Sequence, residues 1–267
     1  MRRSALALAF LTLAGTAAQA NPVGLRVCAD PNNMPFSDAK GEGFENKLAI
    51  LLARDLGEKT SFVFQRQTDN FLDRGLNAHL CDAVMGVPAG LDAVAVTRPY
   101  YASTYVFVTR GLRIASLKDP RLRHLRIGVH LVGDEPTPPA EALGREGIVD
   151  NVQGFMISGG DYAKPNPPAR LIEAVSSRVV DVAAVWGPVG GYFAKRSPVA
   201  LTVTPITGTR SFAPLMFQYA IAVGVRKEDV ALRARLDQAM AREKGAIHAL
   251  LQSYGVPLVS PQGLSHD

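Results

Sequence analysis

Few side chains of this sequence are arranged for catalysis. It has five histidines, none at a spacing typical of metal ligands: His79, His124, His130, His248 and His266. Only His130 falls at the end of a predicted strand where a binding cleft could lie, and for it we favour a structural role over a functional one. Glu173 lies on a predicted helix without an acid–base partner, and the sequence contains none of the common hydrolase, zinc-protease, P-loop or dinucleotide-binding motifs. The sequence therefore predicts a protein that is not an enzyme and holds neither a metal nor a cofactor.

The first twenty residues have the three parts of a secretory signal. Two arginines follow the first methionine, an apolar run covers residues 5–14, and the Ala-Gln-Ala sequence at 18–20 fits a cleavage site. The alternative is an N-terminal membrane anchor, but the apolar run is too short to span a bilayer. We therefore predict that residues 1–20 are removed and that a mature chain of 247 residues acts in the periplasm.

Export makes the two cysteines informative. Cys28 and Cys81 are the only cysteines, and each falls at the edge of a predicted strand, residues 25–29 or 82–87. In an oxidising compartment, an even pair favours a disulfide between neighbouring strands. Two buried free thiols are the alternative. A metal site is not expected, since two cysteines without further cysteines or clustered histidines are too few ligands.

Composition and charge exclude several classes of protein. Hydrophobic residues make up 47% of the 267 residues and charged residues 20%, a globular mixture that argues against disorder. The formal charge of +5 falls to +3 without the two signal arginines, too little to predict nucleic-acid binding. The basic group at residues 121–126 is interpreted as a solvated surface turn. The longest later apolar run, residues 211–225, is too short for a membrane span.

Strand and helix patterns alternate along the mature chain, which predicts an α/β fold. Two strand-like passages, residues 104–109 and 217–225, enclose a block with its own alternating pattern. This arrangement predicts a discontinuous first domain, residues 21–107 and 217–267, and an inserted second domain, residues 108–216. The two enclosing strands would cross between the domains, and ligand sites favour the cleft between domains joined in this way.

Several segments resemble a known family of binding proteins. The C-terminal strand and helices, and the Pro-Tyr-Tyr sequence at 99–101, are similar to type II periplasmic solute-binding proteins. More specific segments resemble the MoxJ/XoxJ family: residues 27–36, 41–46, 81–88, 161–162, 165–168 and 185–188. Together the resemblance covers nearly the whole mature chain. It implies a two-domain periplasmic binding protein type II fold, with two crossover strands and an interdomain cleft.

The resemblance also implies a role. Members of the MoxJ/XoxJ family are accessory proteins of periplasmic PQQ-dependent methanol dehydrogenases. The implied partner is such a dehydrogenase, with its c-type cytochrome as a further partner, and the implied action is protein binding during assembly, activation or maturation. The segments lean towards the lanthanide-dependent enzymes rather than the calcium-dependent ones.

Two other functions stay open at this point. One is a solute receptor of an ABC importer, whose ligand would be a small apolar or aromatic compound, a cofactor precursor or a metal chelate. The other is a periplasmic dehydratase, because some enzymes of that class share the fold. The sequence lacks an acid–base pair for the second of these.

The groups with which amino-acid receptors of this fold hold their ligand are missing. The resemblance implies an arginine after strand 82–87 for the carboxylate, yet residues 87–97 contain no basic residue. It also implies an acidic residue after strand 181–186 of the second domain, to bind the ammonium group of the amino acid. Trp186 and Gly187 occupy that position instead. We therefore expect the cleft not to bind free amino acids.

Prolines at three predicted helix starts support the same expectation. They stand at residues 138–139, 167–168 and 188. Helix starts bind anions through free backbone N–H groups, and proline has no N–H to donate. Because one such proline is common, it is the combination of all three with the missing arginine that indicates a loss of anion binding.

The residues expected to line the cleft are aromatic, apolar or amide-bearing. They are Asn32, Asn33, Met34, Phe36, Phe44, Tyr100, Tyr101, Tyr162, Asn166 and Trp186. Most of them follow a predicted strand or begin a predicted helix that faces the cleft. For each residue taken singly, core packing or turn formation is the competing interpretation. Two nearby acids, Glu42 and Glu45, are interpreted as first-turn acids of the helix that follows.

Overall fold

The computed structural model describes residues 24–68, 70–132, 135–156 and 167–260. The predicted signal, residues 1–20, lies outside this part of the chain. Within the part that is described, no helix is both long and apolar enough to cross a membrane.

Strands and helices alternate along the described chain, which confirms the predicted α/β class. The strands are β1 (Leu25–Ala29), β2 (Asn32–Asn33), β3 (Ser37–Asp38), β4 (Thr60–Phe64), β5 (Ala83–Pro88), β6 (Ala95–Val96), β7 (Tyr101–Thr109), β8 (Ile127–Val132), β9 (Glu135–Pro136), β10 (Val152–Met156), β11 (Val182–Trp186), β12 (Thr202–Pro205) and β13 (Gln218–Val225). The helices are α1 (Phe44–Asp55), α2 (Phe71–Arg74), α3 (Pro138–Arg145), α4 (Ala169–Ser176), α5 (Gly187–Lys195), α6 (Val230–Arg242) and α7 (Lys244–Ser253).

The first lobe contains β1 to β6, β13, α1, α2, α6 and α7. Strand β1 pairs in parallel with β4 and β5, and β13 pairs with β5 in the antiparallel sense. Within β1, Leu25 and Val27 belong to a core shared with α1, α6 and α7, whereas Cys28 belongs to a core shared with α2. The strand is apolar at successive positions because both of its faces are covered.

The second lobe contains β8 to β12 and α3 to α5. Strands β10, β8 and β11 are parallel neighbours. Along β11, Val182 and Ala184 face the core that includes α3, and Ala183 and Val185 face the core that includes α4 and α5. This alternation is the geometry of a strand buried between two layers of helices.

Strand β7 passes from one lobe to the other. Its first part, residues 101–104, pairs with β13, and its second part, residues 105–109, lies between β11 and β12. Strand β13 then continues alongside β5 in the first lobe. The predicted two-lobed fold with two crossover strands and a cleft is therefore confirmed. The domain boundaries proposed from the sequence, at 107/108 and 216/217, stay a prediction.

The predicted disulfide is present. Cys28 in β1 is bonded to Cys81, which stands just before β5, with the two Cα atoms 5.5 Å apart. Both residues are buried, at 2% and 0% exposure. The bond links two neighbouring parallel strands of the first lobe, and its partners are 53 residues apart in sequence.

Some elements differ from the sequence expectations. The sequence pattern predicts a short helix over residues 70–78, but α2 has four residues and ends at Arg74. A side chain on the next residue, Gly75, would come within 2.4 Å of the Cys28 sulfur. Strand β10 was not predicted. Among the described strands it pairs with β8 alone, at the edge of the sheet, and Gly154 in its middle interrupts the apolar pattern.

Loss of the disulfide is expected to lower stability substantially. Replacing Cys28 and Cys81 together by serine frees a long loop in the unfolded chain, so the free energy of unfolding should fall by about 2–5 kcal/mol. Urea unfolding of the mature protein measures this, and the single variant Cys28→Ser should lose nearly as much as the double variant. A double variant within about 0.5 kcal/mol of the wild type would show that the bond adds little.

Candidate functional site

The start of α1 is docked on the loop that precedes it. The N–H groups of Phe44 and Glu45 donate to the carbonyls of Pro35 (2.8 Å) and Phe36 (2.9 Å). First-turn N–H groups are the donors with which a helix start binds an anion. Here two of those donors are already used by the protein's own backbone.

Two residues make this docking specific. Asn46 is almost fully buried, and its side-chain oxygen accepts from the N–H groups of Gly43 (3.2 Å) and Asp38 (3.0 Å). Gly43 passes so close to the loop that a Cβ would lie 2.0 Å from the carbonyl oxygen of Phe36. Only glycine fits this position, and the contact fixes the direction in which the next two side chains leave the helix.

Four of the predicted lining residues form one aromatic cluster. The ring centroids of Phe36 and Phe44 are 5.4 Å apart, those of Phe44 and Tyr101 are 6.0 Å apart in an edge-on arrangement, and those of Tyr100 and Tyr101 are 5.1 Å apart. These are ordinary distances for favourable aromatic pairs. The cluster joins the start of α1 to the start of β7.

Trp186 connects this cluster to the second lobe. It ends β11, and its ring makes edge-on contacts with Tyr105 (5.3 Å) and Tyr219 (5.7 Å) on the two crossover strands. Its side chain also lies beside Tyr101, where it acts against the rise in the pKa of Tyr101 that burial causes. Both Phe36 and Trp186 pack against the buried cores of both lobes. Aromatic side chains therefore occupy the place where the lobes meet.

The other described members of the predicted set have local roles. Met34 is buried in the core of the first lobe. The backbone N–H of Asn32 donates to Asp30 (2.8 Å), and the side chain of Asn33 donates to Gln67 (3.1 Å). Both asparagines belong to a short hairpin, which agrees with the competing interpretation of turn formation.

Tyr162 and Asn166 lie outside the described residues. The assignment of the whole set to a binding site therefore stays a prediction, and the aromatic cluster together with Trp186 is the part of it that the structure brings together.

The helix starts of the second lobe agree with the sequence interpretation in two cases of three. Helix α3 begins with Pro138, and α5 carries Pro188 in its first turn. In α4 the prolines Pro167 and Pro168 precede the helix, which begins at Ala169. The prolines of α4 therefore do not remove first-turn donors, and the expectation was wrong at that position.

Glu45 is the polar group that sequence reasoning missed. It stands in the first turn of α1, as expected, but its carboxyl group lies over Gly86 in β5. A Cβ on Gly86 would lie 2.2 Å from Oε1 of Glu45, and Gly86 also has a left-handed backbone (φ +75°). Among the described residues, no hydrogen bond or ion pair of the Glu45 carboxyl group is found.

The surroundings of Glu45 disfavour its charge. Removal from water raises the pKa of Glu45 to about 8. Burial, followed by the nearby charge of Glu45, raises the pKa values of Tyr100 and Tyr101 well above their usual range. The Tyr100 hydroxyl oxygen is buried without a side-chain partner among the described residues, and the backbone of Gly86 beside it acts against the rise in its pKa. The sequence offered one sign of this buried position: Glu45 stands between the apolar Phe44 and Asn46, the residue that caps the start of α1.

His130 is a buried neutral imidazole. It is 3% exposed in β8, and burial lowers its pKa to about 3, with a backbone group of Pro168 acting in the opposite direction. Such a group carries no charge at neutral pH and does not titrate there. Within the described ranges, no three His, Cys, Asp or Glu side chains are grouped so that they could hold a metal ion.

Comparison with known proteins assigns the chain to a family. The sequence pattern of the bacterial extracellular solute-binding proteins, family 3, matches residues 25–256. Protein MoxJ of Paracoccus denitrificans is 34% identical over 269 residues, which cover 96% of this chain and 94% of that protein. Protein MoxJ of Methylorubrum extorquens is 32% identical over 259 residues, covering 92% and 85%. The chain belongs to the MoxJ family of these solute-binding proteins.

A solved structure supports the same assignment. The periplasmic binding protein XoxJ from Methylobacterium extorquens AM1 is 31% identical to this chain and superposes with a TM-score of 0.73, covering 88% of this chain and 99% of that one. The resemblance to the MoxJ/XoxJ family seen in the sequence is thereby confirmed, as is the periplasmic binding protein fold.

Replacing Glu45 by glutamine should change how stability depends on pH. The pKa of this carboxyl group rises from 4.5 to about 8 on folding. Its contribution to the free energy of unfolding is therefore complete below pH 4.5 and is lost as the pH rises through 8. The free energy of unfolding of the wild type should therefore fall between pH 5 and 8 by up to ~1.4 kcal/mol per pH unit from this group. In Glu45→Gln that part of the slope should disappear.

Urea unfolding at pH 5, 6.5 and 8 measures the effect. Glu42→Gln is the matched control, since Glu42 is an exposed acid three residues earlier that pairs with Lys47. The control should keep the slope of the wild type. Identical slopes in the wild type and Glu45→Gln would contradict the assignment of a buried, proton-binding carboxyl group.

Proposed function

We propose that the protein is a periplasmic accessory protein of a PQQ-dependent methanol dehydrogenase, and that it acts by binding the enzyme during its assembly, activation or maturation. The observation that carries the proposal is the cluster of aromatic rings where the lobes meet, in a member of the MoxJ family. The predicted signal, the disulfide and the extracellular binding-protein family support action in the periplasm.

The cleft is chemically unsuited to a free amino acid. No basic residue follows β5 between residues 87 and 97, and two first-turn donors of α1 already bind backbone carbonyls. The unpaired Glu45 carboxyl group would stand close to the ligand's carboxylate. An α-carboxylate entering this cleft would lose its hydration without gaining the cation and donors that replace it.

The same features suit a polypeptide segment. Large aromatic side chains at the centre of an interface supply much of the binding free energy between proteins. Phe36, Tyr101 and Trp186 lie where the lobes meet, and each of them contacts another aromatic ring there. We infer that the two lobes close on a segment of the dehydrogenase, that the protein itself is not an enzyme, and that the client belongs to the lanthanide-dependent branch. The c-type cytochrome of that system is the second partner to test.

The second candidate is a solute receptor for a ligand other than an amino acid. The match to the bacterial extracellular solute-binding proteins over residues 25–256 favours it, because that family is described by its binding of solutes. Native mass spectrometry of the protein isolated from its own periplasm separates the two. A ligand bound at one per chain supports the receptor, and an empty chain supports the dehydrogenase partner.

Truncating the cleft should weaken binding of the dehydrogenase. Trp186→Ala removes the side chain that links both lobes, and we expect the dissociation constant for the apo dehydrogenase to rise at least tenfold, or about 1.4 kcal/mol. Biolayer interferometry with immobilised mature protein measures this, and thermal unfolding shows whether the variant is folded.

Phe64→Ala is the matched control. Phe64 is an exposed aromatic residue on β4 that stacks on Phe62, away from the aromatic cluster. Its replacement should leave the dissociation constant unchanged. Equal affinities of the wild type and of a folded Trp186→Ala variant would contradict binding through the cleft.

A further inference from the structure

Two polar groups beside the aromatic cluster have no side-chain partner among the described residues. The carboxyl group of Glu45 has no hydrogen bond or ion pair there, and the buried hydroxyl of Tyr100 contacts only the backbone of Gly86. The two groups are close enough for the charge of Glu45 to raise the pKa of Tyr100. Neither group is needed to close the first turn of α1, because Asn46 does that.

Unpaired groups of this kind are costly to a folded protein. A buried polar group without a partner destabilises the fold, and an unpaired buried charge does so more strongly. The basic residues that flank the site in sequence have other partners. Lys47 binds Glu42, and Arg98 binds Asp237. Among the described residues, neither of these two cations pairs with Glu45, so a bound molecule can supply the cation.

The surroundings indicate what kind of partner fits. Glu45 adjoins Phe44, and the same cluster contains the rings of Phe36, Tyr100 and Tyr101. A carboxylate beside several aromatic faces is the chemistry that receives organic cations, through an ion pair and cation–π contacts. The absence of a side chain at Gly86 leaves the carboxyl group room to lie flat over β5.

We propose that Glu45 and Tyr100 form a subsite for a lysine ammonium or arginine guanidinium group, carried by the polypeptide segment that the cleft binds. The proposal rests on the proposed function for the identity of the carrier, although the subsite itself depends only on the geometry of the cleft. Glu45 supplies the negative charge, the Tyr100 hydroxyl oxygen accepts a second N–H, and the aromatic rings enclose the alkyl stem.

The protonation of Glu45 gives the subsite a signature. With a pKa of about 8, the empty carboxyl group is mostly protonated at pH 7, and a bound cation requires the carboxylate. Binding should therefore release roughly one proton per site at pH 7, and affinity should rise from pH 6 to pH 8. The titratable groups facing Glu45 are the phenols of Tyr100 and Tyr101. Their pKa values are raised well above 10, so they do not titrate in this range.

A pair of small probes tests the subsite directly. N-acetyl-arginine amide and N-acetyl-citrulline amide have nearly the same shape, but only the first carries a charge. Isothermal titration of the mature protein in two buffers of different ionisation enthalpy gives both affinity and proton release. We expect the arginine probe to bind the wild type about tenfold more tightly than the citrulline probe, with release of close to one proton.

Three variants make the result specific. In Glu45→Gln both the preference for the arginine probe and the proton release should vanish, and in Tyr100→Phe the preference should shrink. Glu42→Gln should behave as the wild type. Equal binding of the two probes, a preference that survives in Glu45→Gln, or no binding of the arginine probe at millimolar concentration would overturn the proposal.

The dehydrogenase itself separates this inference from the proposed function. If the wild type prefers the arginine probe but does not bind the dehydrogenase, the cation subsite is supported and the proposed partner is wrong. If Glu45→Gln binds the dehydrogenase as tightly as the wild type does, the partner is supported and the subsite is overturned.

Discussion

The docking of α1 on the loop before it is the interaction on which the rest of the site depends. The carbonyls of Pro35 and Phe36 occupy the N–H groups of Phe44 and Glu45, and Gly43 allows the close approach. This contact removes an anion-binding position and builds the aromatic cluster in its place. It also directs the carboxyl group of Glu45 over β5. The start of α1 then has no free N–H from Phe44 or Glu45 for an anion, and aromatic rings lie beside it.

The crossover strands extend the effect to the second lobe. Strand β7 carries Tyr101 to the aromatic cluster and Tyr105 to Trp186, so the two lobes share one continuous band of rings. Because Trp186 contacts rings on both crossover strands, the second lobe is in direct contact with this band of side chains. A bound segment that contacts these rings would therefore bias how the lobes are arranged.

Much of the fold was predictable from the sequence, because buried strands and amphipathic helices leave strong periodic patterns. Strand β1, helix α1 and the pairing of Cys28 with Cys81 followed from apolar runs and from the predicted export. Strand β10 was missed because an edge strand with a central glycine lacks such a pattern. The length of α2 was overestimated, because the proximity of Gly75 to the disulfide depends on tertiary packing.

The site was predictable only in part, for a related reason. Aromatic residues at strand ends and helix starts suggested a cleft, and Phe36, Phe44, Tyr100 and Tyr101 do lie together. Their contacts with one another are tertiary, so the sequence could not distinguish a cleft from a core. Glu45 was interpreted as a helix-start acid, since its position over Gly86 becomes visible only when α1 is placed against β5.

Hydrogen–deuterium exchange of the mature protein, with and without the apo methanol dehydrogenase, shows whether the cleft binds a segment of another protein. We expect slower exchange on complex formation in residues 34–46, 100–106 and 186–193, which contribute the aromatic cluster and its neighbours. Slower exchange confined to outer surfaces such as α6, with no change in these three segments, would contradict binding in the cleft.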